Sequence, residues 1–162
     1  MSIYYINLVD WKRLLEKLLQ KYTLYAPVSR TTSPLVRDEW TTFERINSEN
    51  INNIVYNFPR AADVVKSIFF REREIATKYF REGEREGEAP IAVLGAKSCD
   101  LAALRIQDRI FMAEEFKDPS YVELRENGLI IGSDCQSISP TCFCTVVHIK
   151  SYATDTFDTV SY

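Results

Sequence analysis

Residues 90–133 read PIAVLGAKSCDLAALRIQDRIFMAEEFKDPSYVELRENGLIIGS, and this stretch decides the fold. The segment 90–96 (PIAVLGA) is a short, nearly continuous apolar run, which is typical of a strand buried in a parallel sheet. The segment 129–132 (LIIG) has the same character. A connection of this length between two buried strands indicates a right-handed parallel crossover. The sequence therefore predicts an α/β protein, with a parallel βαβ unit in residues 90–133 of a small mixed sheet.

Two helices are predicted inside the crossover. The first is expected from residue 101 to about residue 112, with Ser98 or Asp100 as its N-terminal cap. The second covers residues 121–127, and Gly128 is placed to end it. Beyond the crossover, the segment CTVVHI is a candidate third strand.

The part of the chain before residue 71 predicts a mixed α+β layer whose strands are short and partly antiparallel. Asp10 can cap a helix over residues 11–22, because apolar residues recur there at three- and four-residue spacing. Strands are expected at 23–28, 35–46 and 51–56, a loop at 30–34, and a helix at 61–68. The charged segment that follows predicts a fraying helix and a surface loop. The chain is thus expected to form one domain, 1–162, with a candidate internal boundary at 71–89.

Composition indicates a globular chain and excludes two classes of partner. The 162 residues are 46% hydrophobic and 27% charged, which is enough for one domain with its own core. The net charge of −3 lacks the basic excess that nucleic-acid binding requires. No apolar run approaches the roughly 18 residues of a membrane span, and no basic leader precedes an apolar stretch at the N-terminus. These features predict a cytoplasmic protein whose cysteines stay reduced.

Four cysteines lie in the second half of the chain: Cys99, Cys135, Cys142 and Cys144. Cys99 follows the first predicted parallel strand and Cys135 follows the second, and parallel strands end at the same edge of a sheet. Cys142 and Cys144 belong to a segment with Pro140, where irregular backbone can direct both side chains to one point. Four thiolates suit an iron–sulfur cluster or, as the weaker alternative, zinc. The sequence therefore predicts a shared site with all four cysteines as ligands. Two other interpretations stay open, which are buried cysteines without a ligand and disulfide or redox pairing.

Three residues near the cysteines could support the predicted site without binding the metal. Lys97 can offset the negative charge of a cluster, or it can face solvent. Asp100 is predicted to be a helix cap rather than an acid or base, and Asp134 to accept hydrogen bonds from loop amides. His148, the only histidine, is predicted to be packed or on the surface rather than a ligand. No catalytic Ser/His/Asp set, carboxylate pair or phosphate-binding loop can be recognised, so catalysis by this chain alone is not predicted.

Three strings of the sequence, VLGAKSCDLAALRIQDRIF, DPSYVELRENGLIIGSDC and TCFC, resemble a known family. They are similar to the beta subunit of soluble NiFe sulfhydrogenases and to the A subunit of anaerobic sulfite reductase. Weaker similarity in LYAPV, NFPRAADVVKSIFF and YATDTFDTVSY extends the resemblance over nearly the whole chain. Its most specific parts are the glycine-x-x-x-CDLAAL segment and CFC.

The resemblance implies a role in electron transfer within an oxidoreductase complex. The implied partners are a flavin subunit that uses NAD(P)H and a catalytic subunit. Family members carry this N-terminal domain before a ferredoxin-like domain with two [4Fe-4S] clusters, and the cysteine runs of that second domain are absent from these 162 residues. We therefore expect either a fragment or a stand-alone N-terminal domain. The resemblance extends to these site positions: Cys99, Asp100, Cys135, Cys142 and Cys144. The alternative function is a docking domain without a cofactor, which positions redox partner subunits.

Overall fold

The computed structural model describes residues 4–33, 36–56, 58, 60–70, 89–113, 117–152 and 159–161. Three helices and five strands make up its regular structure. In chain order they are α1 (Leu8–Lys21), β1 (Thr23–Ser33), β2 (Val36–Arg45), β3 (Ile91–Ala96), α2 (Ser98–Phe111), α3 (Pro119–Asn127), β4 (Leu129–Ser133) and β5 (Thr159–Ser161). Short 3-10 turns lie at Ile51–Asn53 and Val65–Ser67.

The strands form one mixed sheet in the order β2-β1-β3-β4-β5. β1 and β2 pair antiparallel, whereas the β1–β3, β3–β4 and β4–β5 pairs are parallel. α2 and α3 connect β3 to β4, so residues 90–133 contain the predicted parallel βαβ unit. The predicted α/β class with a small mixed sheet is confirmed.

The two faces of the sheet carry two separate apolar clusters, because alternate side chains of a strand point to opposite faces. On one face, Leu15 and Leu18 of α1 pack with Leu94 of β3 and with its neighbours in the sheet. On the other face, Leu101 of α2 packs in the same cluster as Val93 of β3. Since β3 is buried on both sides, it requires the continuous apolar run that predicted it.

Both long helices begin earlier than the sequence predicted. Asn7 caps α1, because its side chain accepts a hydrogen bond from the backbone N–H of Asp10, so the prediction of Asp10 as the cap was wrong. In α2 the cap position is Lys97, and Asp100 lies three residues inside the helix. The Asp100 carboxylate accepts from the backbone N–H of Lys97 at 3.1 Å. Neither Ser98 nor Asp100 is the cap residue itself, but Asp100 provides the returning half of a capping box.

β1 continues through the segment that was predicted to be a loop, as far as Ser33. Pro27 lies within this strand, opposite Phe43 of β2. The parallel pairing of β1 with β3 ends at Tyr25, so the missing N–H of Pro27 removes no bond of that ladder. The predicted loop at 30–34 is therefore wrong over the residues that the structure describes there.

Three other predicted elements are wrong, and local polar contacts explain one of them. The expected strand at 51–56 is a 3-10 turn with a single bridge from Ile54 to Val28. Before it, the Asn47 side chain accepts from the N–H groups of Glu49 and Asn50, which favours a turn over a strand.

The other two wrong predictions are the helix at 61–68 and the strand at 144–149. The first is the single 3-10 turn Val65–Ser67. The second is a series of turns in which His148 has a φ of 57°. Gly128 does end α3, as predicted. A side chain there would come within 2.7 Å of the Leu124 carbonyl oxygen, so the position also requires a glycine sterically. The predicted helix and boundary in the charged segment fall on 71–88, outside the described residues.

Candidate functional site

The ends of β3 and β4 lie side by side, with Ala96 paired with Gly132. Directly after them, the Lys97 ammonium donates a hydrogen bond to the backbone carbonyl oxygen of Asp134 at 3.0 Å. The Lys97 side chain is 1% exposed, and its Nζ lies 4.3 Å from the centre of the Phe58 ring. A buried positive charge therefore occupies the carboxyl edge of the sheet, between the two strand ends.

Cys99 and Cys135 flank this charge, and both are half-buried. Cys99 is the second residue of α2, so it lies where unpaired backbone N–H groups gather at the start of a helix. Cys135 follows β4 by two residues, and its backbone N–H donates to the Ser151 carbonyl oxygen at 2.9 Å. The crossover thus brings together two cysteines that are separated by more than thirty positions, as the parallel-strand rule predicts.

Cys142 and Cys144 lie in a loop formed by residues 136–150, here called the thiol loop. The hydrogen bond between Cys135 and Ser151 closes its base. Within the loop, the Cys142 N–H donates to Ser139 and the Ile149 N–H donates to Cys144, at 2.9 and 2.8 Å. Cys142 and Cys144 are half-buried, and neither they nor the other two cysteines form a disulfide. Cys99 and Cys135 thus lie just after the ends of two paired strands, and Cys142 and Cys144 lie in the loop that follows.

Burial and neighbouring charges change the pKa values of the two cysteines at the strand ends. Burial, as the largest cause, and the charges of Asp100, Cys144 and Cys135 together raise the pKa of Cys99 to about 12, against the opposing effect of Arg60. Burial also raises the pKa of Cys135, where Lys97 acts in the opposite direction and Cys144 and Cys142 add to the rise. Cys144 therefore acts electrostatically on both cysteines at the strand ends.

The supporting residues lie within the same electrostatic neighbourhood. Burial lowers the pKa of Lys97, while negative charges at Cys135, Asp100, Asp134 and Cys99 oppose that change. Burial raises the pKa of Asp100, against the hydrogen bond from the Lys97 N–H and the charges of Arg60 and Lys97. Lys97 is thus buried against the site rather than facing solvent, and Asp100 contributes to capping from the third position of α2 rather than as the cap residue that the sequence indicated.

Two smaller predictions can be compared with the structure. Asp134 was expected to accept from loop amides, but its Oδ1 is buried without a hydrogen-bond partner among the described residues. His148 lies exposed on the thiol loop, in agreement with a surface role. Sequence reasoning missed Phe58, Arg60 and Ser151, which surround or anchor the site. The string NFPRAADVVKSIFF, which contributes to the family resemblance, was the available signal for the first two.

Four cysteines are suitable ligands for a metal ion or an iron–sulfur cluster, but their side chains are not arranged to bind one. Within the described parts of the chain, no group of three or more His, Cys, Asp or Glu side chains is placed to hold a metal ion. Binding through all four cysteines therefore requires the side chains, the thiol loop or both to rearrange. The hydrogen bonds inside the loop join nearby residues, so such a movement can leave them intact.

Comparison of the chain with protein-family models, curated proteins and solved structures finds no match. The family resemblance and the role of the four cysteines therefore stay predictions. Among the helices that the structure describes, none has the length and apolar character to cross a bilayer.

Proposed function

We propose that this chain is an electron-transfer module of a multisubunit oxidoreductase and that it binds one iron–sulfur cluster through Cys99, Cys135, Cys142 and Cys144. The observation that supports this proposal most strongly is that Cys99 and Cys135 follow the adjacent ends of β3 and β4, while Cys144 acts electrostatically on both. Cysteine thiolates are the usual ligands of such clusters. One-electron transfer needs a cofactor near a partner's cofactor rather than acid–base residues, and no catalytic set was recognised in the sequence.

Two features near Cys99 and Cys135 would favour a negatively charged group, against the opposing effects of burial and of Asp100. Lys97 supplies a buried ammonium, and the first turn of α2 supplies backbone N–H groups beside Cys99. Hydrogen bonds and positive charge near the sulfur atoms of a cluster stabilise its reduced state and so raise its potential. These residues would tune the potential without themselves binding iron.

The raised pKa values of Cys99 and Cys135 mean that binding a cluster must first remove protons from these thiols. Without a metal, Cys99 is a protonated thiol at neutral pH, because its pKa is about 12. Metal binding must therefore displace its proton, and the apparent affinity of the site rises with pH. The four cysteine side chains must also come together, since they do not form a ligand group in the described structure.

Exposed apolar side chains around the thiol loop support a role inside a complex. Ile138, Phe143 and Val146 are 84%, 57% and 76% exposed, respectively. Contiguous exposed apolar residues beside a site often mark a protein interface. From the family resemblance, the proposed partners are a flavin subunit that uses NAD(P)H and a catalytic subunit.

Anaerobic reconstitution with ferrous iron and sulfide tests the proposal. We expect about four irons per chain, a broad visible absorption band, and a paramagnetic signal after reduction with dithionite. Serine variants of the four cysteines should each lose most of the iron. Ser139→Ala, in the same loop, is the matched control and should keep it. A colourless protein with four reactive thiols after reconstitution would contradict the proposal, and stoichiometric zinc without iron would identify the site as structural zinc.

The second candidate is a docking domain without a cofactor, and the absence of a ready ligand set among the described residues favours it. On this alternative, the exposed apolar loop binds a partner subunit and the cysteines only fill space. Cys142→Ser and Cys144→Ser would then leave partner binding intact, whereas Phe143→Asp would abolish it. Partner capture by metal-free protein, measured beside the iron content, separates the two functions.

A further inference from the structure

The segment at the start of α1 presents large apolar side chains to solvent. Tyr4, Tyr5, Leu8 and Val9 are 87%, 98%, 77% and 68% exposed, respectively. Both tyrosines lie in irregular backbone before α1, whereas Leu8 and Val9 belong to its first turn. These four residues are here called the apolar tip. Contiguous exposed apolar side chains often mark a surface that binds another molecule.

A row of positive side chains continues from the apolar tip along the exposed side of α1. Residues four positions apart are neighbours on the surface of a helix. From Val9, this spacing leads to three exposed residues, here called the cationic row: Arg13, Lys17 and Lys21. Arg13 forms an ion pair with Asp10 at 3.3 Å, but both side chains are exposed, so solvent screens the pair. The apolar tip and the cationic row thus adjoin on one surface.

The charge of α1 is opposite in sign to that of the whole chain. α1 carries four basic and two acidic side chains, whereas the chain has a net charge of −3. Like charges four residues apart repel one another, and the cationic row contains two such pairs. Lys17, at its centre, makes no ion pair with any residue that the structure describes. The described fold leaves this charge without a counterion, whereas an anionic surface would neutralise it.

We propose that the apolar tip and the cationic row dock this protein on an anionic lipid bilayer without spanning it. The strength of such binding rises with the apolar area that enters the bilayer and with attraction to anionic lipids. Tyrosine rings are favoured at the level of the headgroups. Because Tyr4 and Tyr5 are almost wholly exposed, they can enter this layer without disturbing the packing of the fold. A bilayer thus offers an apolar layer and negative charge side by side, as this surface requires.

Co-sedimentation with vesicles tests the proposal on the whole, metal-free chain, because the docking does not depend on the proposed iron–sulfur cluster. Vesicles of phosphatidylcholine alone are compared with vesicles that also contain phosphatidylglycerol. We expect binding to the anionic vesicles and little binding to the neutral ones. Raising the salt concentration from about 0.1 M to about 1 M should release the protein, because the Debye length falls from about 10 Å to about 3 Å.

Removal of the cationic row should weaken binding to anionic vesicles. The triple variant is Arg13→Gln, Lys17→Gln and Lys21→Gln. We expect its partition coefficient to fall about a hundredfold, since each positive side chain near the surface contributes a factor of about five. The matched control removes the same charge at three exposed positions outside α1, by Lys66→Gln, Lys117→Gln and Lys150→Gln. The control should lose no more than about threefold, because distant charges are screened by salt.

Removal of part of the apolar tip should weaken binding without changing the charge. The combined variant Tyr5→Ser and Val9→Ser should lose about tenfold, because less apolar surface enters the bilayer. Its matched control is Ile106→Ser with Ile110→Ser, a pair that is 61% and 58% exposed on α2, and it should bind as the wild type does. All the substituted side chains are largely exposed, and circular dichroism checks that each variant folds.

Three results would overturn the proposal. These are wild-type protein that stays in solution with anionic vesicles, equal binding to neutral vesicles, and a row or tip variant that binds as well as its control. Sedimentation velocity without lipid provides the alternative outcome. Self-association that the tip variant abolishes, in a protein that does not bind vesicles, would identify a second copy of the chain as the occupant of this surface.

Discussion

The Lys97 ammonium and the Asp134 carbonyl oxygen, 3.0 Å apart, join the segments that leave the two central parallel strands. Each segment then reaches a cysteine, Cys99 or Cys135, within two residues. Because Lys97 is buried, this contact fixes the spacing of the two segments and keeps a positive charge beside the thiols. Four predictions test the energetics of this region and of the fold that supports it.

Lys97→Met should change how stability depends on pH in the metal-free protein. Burial lowers the pKa of folded Lys97 below 10.5, so the unfolded state binds more protons between the lowered pKa and 10.5. The wild type should therefore gain stability relative to Lys97→Met as pH rises through that interval. Urea unfolding of both proteins at several pH values from 7 to 10 measures the difference. Lys12→Met, on the exposed side of α1, controls for the loss of one lysine charge, and a difference independent of pH would contradict the prediction.

Alkylation of Cys99 should show its raised pKa. The thiolate reacts with iodoacetamide, and the pKa of Cys99 is about 12. Its reaction rate in the metal-free protein should rise about tenfold per pH unit from 7 to 10 without levelling, whereas an ordinary cysteine levels above a pKa of about 8.5. Peptide mass spectrometry after timed quenching gives the rate. A plateau below pH 9 would show that burial does not control this thiol.

Asp108→Ala should destabilise the contact between α2 and α3 by about 2 kcal/mol. The Asp108 carboxylate accepts from the Tyr121 hydroxyl at 2.6 Å and from two nitrogens of Arg125 at 3.1 and 3.3 Å. The arginine and the carboxylate are only 16% and 23% exposed, so the change leaves largely buried donors without an acceptor. Thermal and urea unfolding measure the loss.

The control for the Asp108 variant is Arg13→Ala in α1. Its ion pair with Asp10 is exposed on both sides, so we expect a loss below about 0.5 kcal/mol. Asp108→Asn should fall between the two, because it keeps an acceptor for Tyr121 and loses the charge. Equal losses for the buried and the exposed pair would mean that burial adds nothing to this network.

Gly95→Ala should cost about 1–2 kcal/mol of stability. Gly95 has a φ of 84°, a conformation that residues with a side chain rarely adopt. A Cβ there would also lie 3.3 Å from two ring atoms of Pro27 and 3.5 Å from the Phe58 ring. Chemical unfolding measures the change. Gly95→Asn should lose less stability than Gly95→Ala, because asparagine tolerates a positive φ better than alanine does. An alanine variant as stable as the wild type would show that the end of β3 can relax.

The elements that the sequence predicted well are the buried strands, because a short run of apolar residues marks each of them. β3 and β4 are continuous apolar segments because an apolar cluster packs on each face of the sheet, and their parallel pairing then places Cys99 and Cys135 at one edge. The position of Phe58 could not be derived in this way. It lies in irregular backbone, where tertiary packing against Lys97 rather than periodicity decides its place.

The two wrong strand predictions, at 51–56 and 144–149, share a physical cause, which is local hydrogen bonding that a pattern of apolar residues does not reveal. Asn47 directs its own neighbours into a turn, and the bond between the Ile149 N–H and the Cys144 carbonyl does the same in the thiol loop. Both segments are rich in β-branched residues, which favour strands. Because Val146 and Val147 are 76% and 48% exposed, their hydrophobicity reflects an open surface instead of a buried strand.

The single hydrogen bond between the Cys135 N–H and the Ser151 carbonyl has a consequence for redesign of this protein. This bond holds together the two residues that flank the segment 136–150. The segment could therefore be replaced as a unit between these two anchor residues. Insertions within it cost only the slowly growing entropy of closing a longer loop. Different segments could then be grafted between the same two anchors, and the scaffold would present each of them without altering its strands.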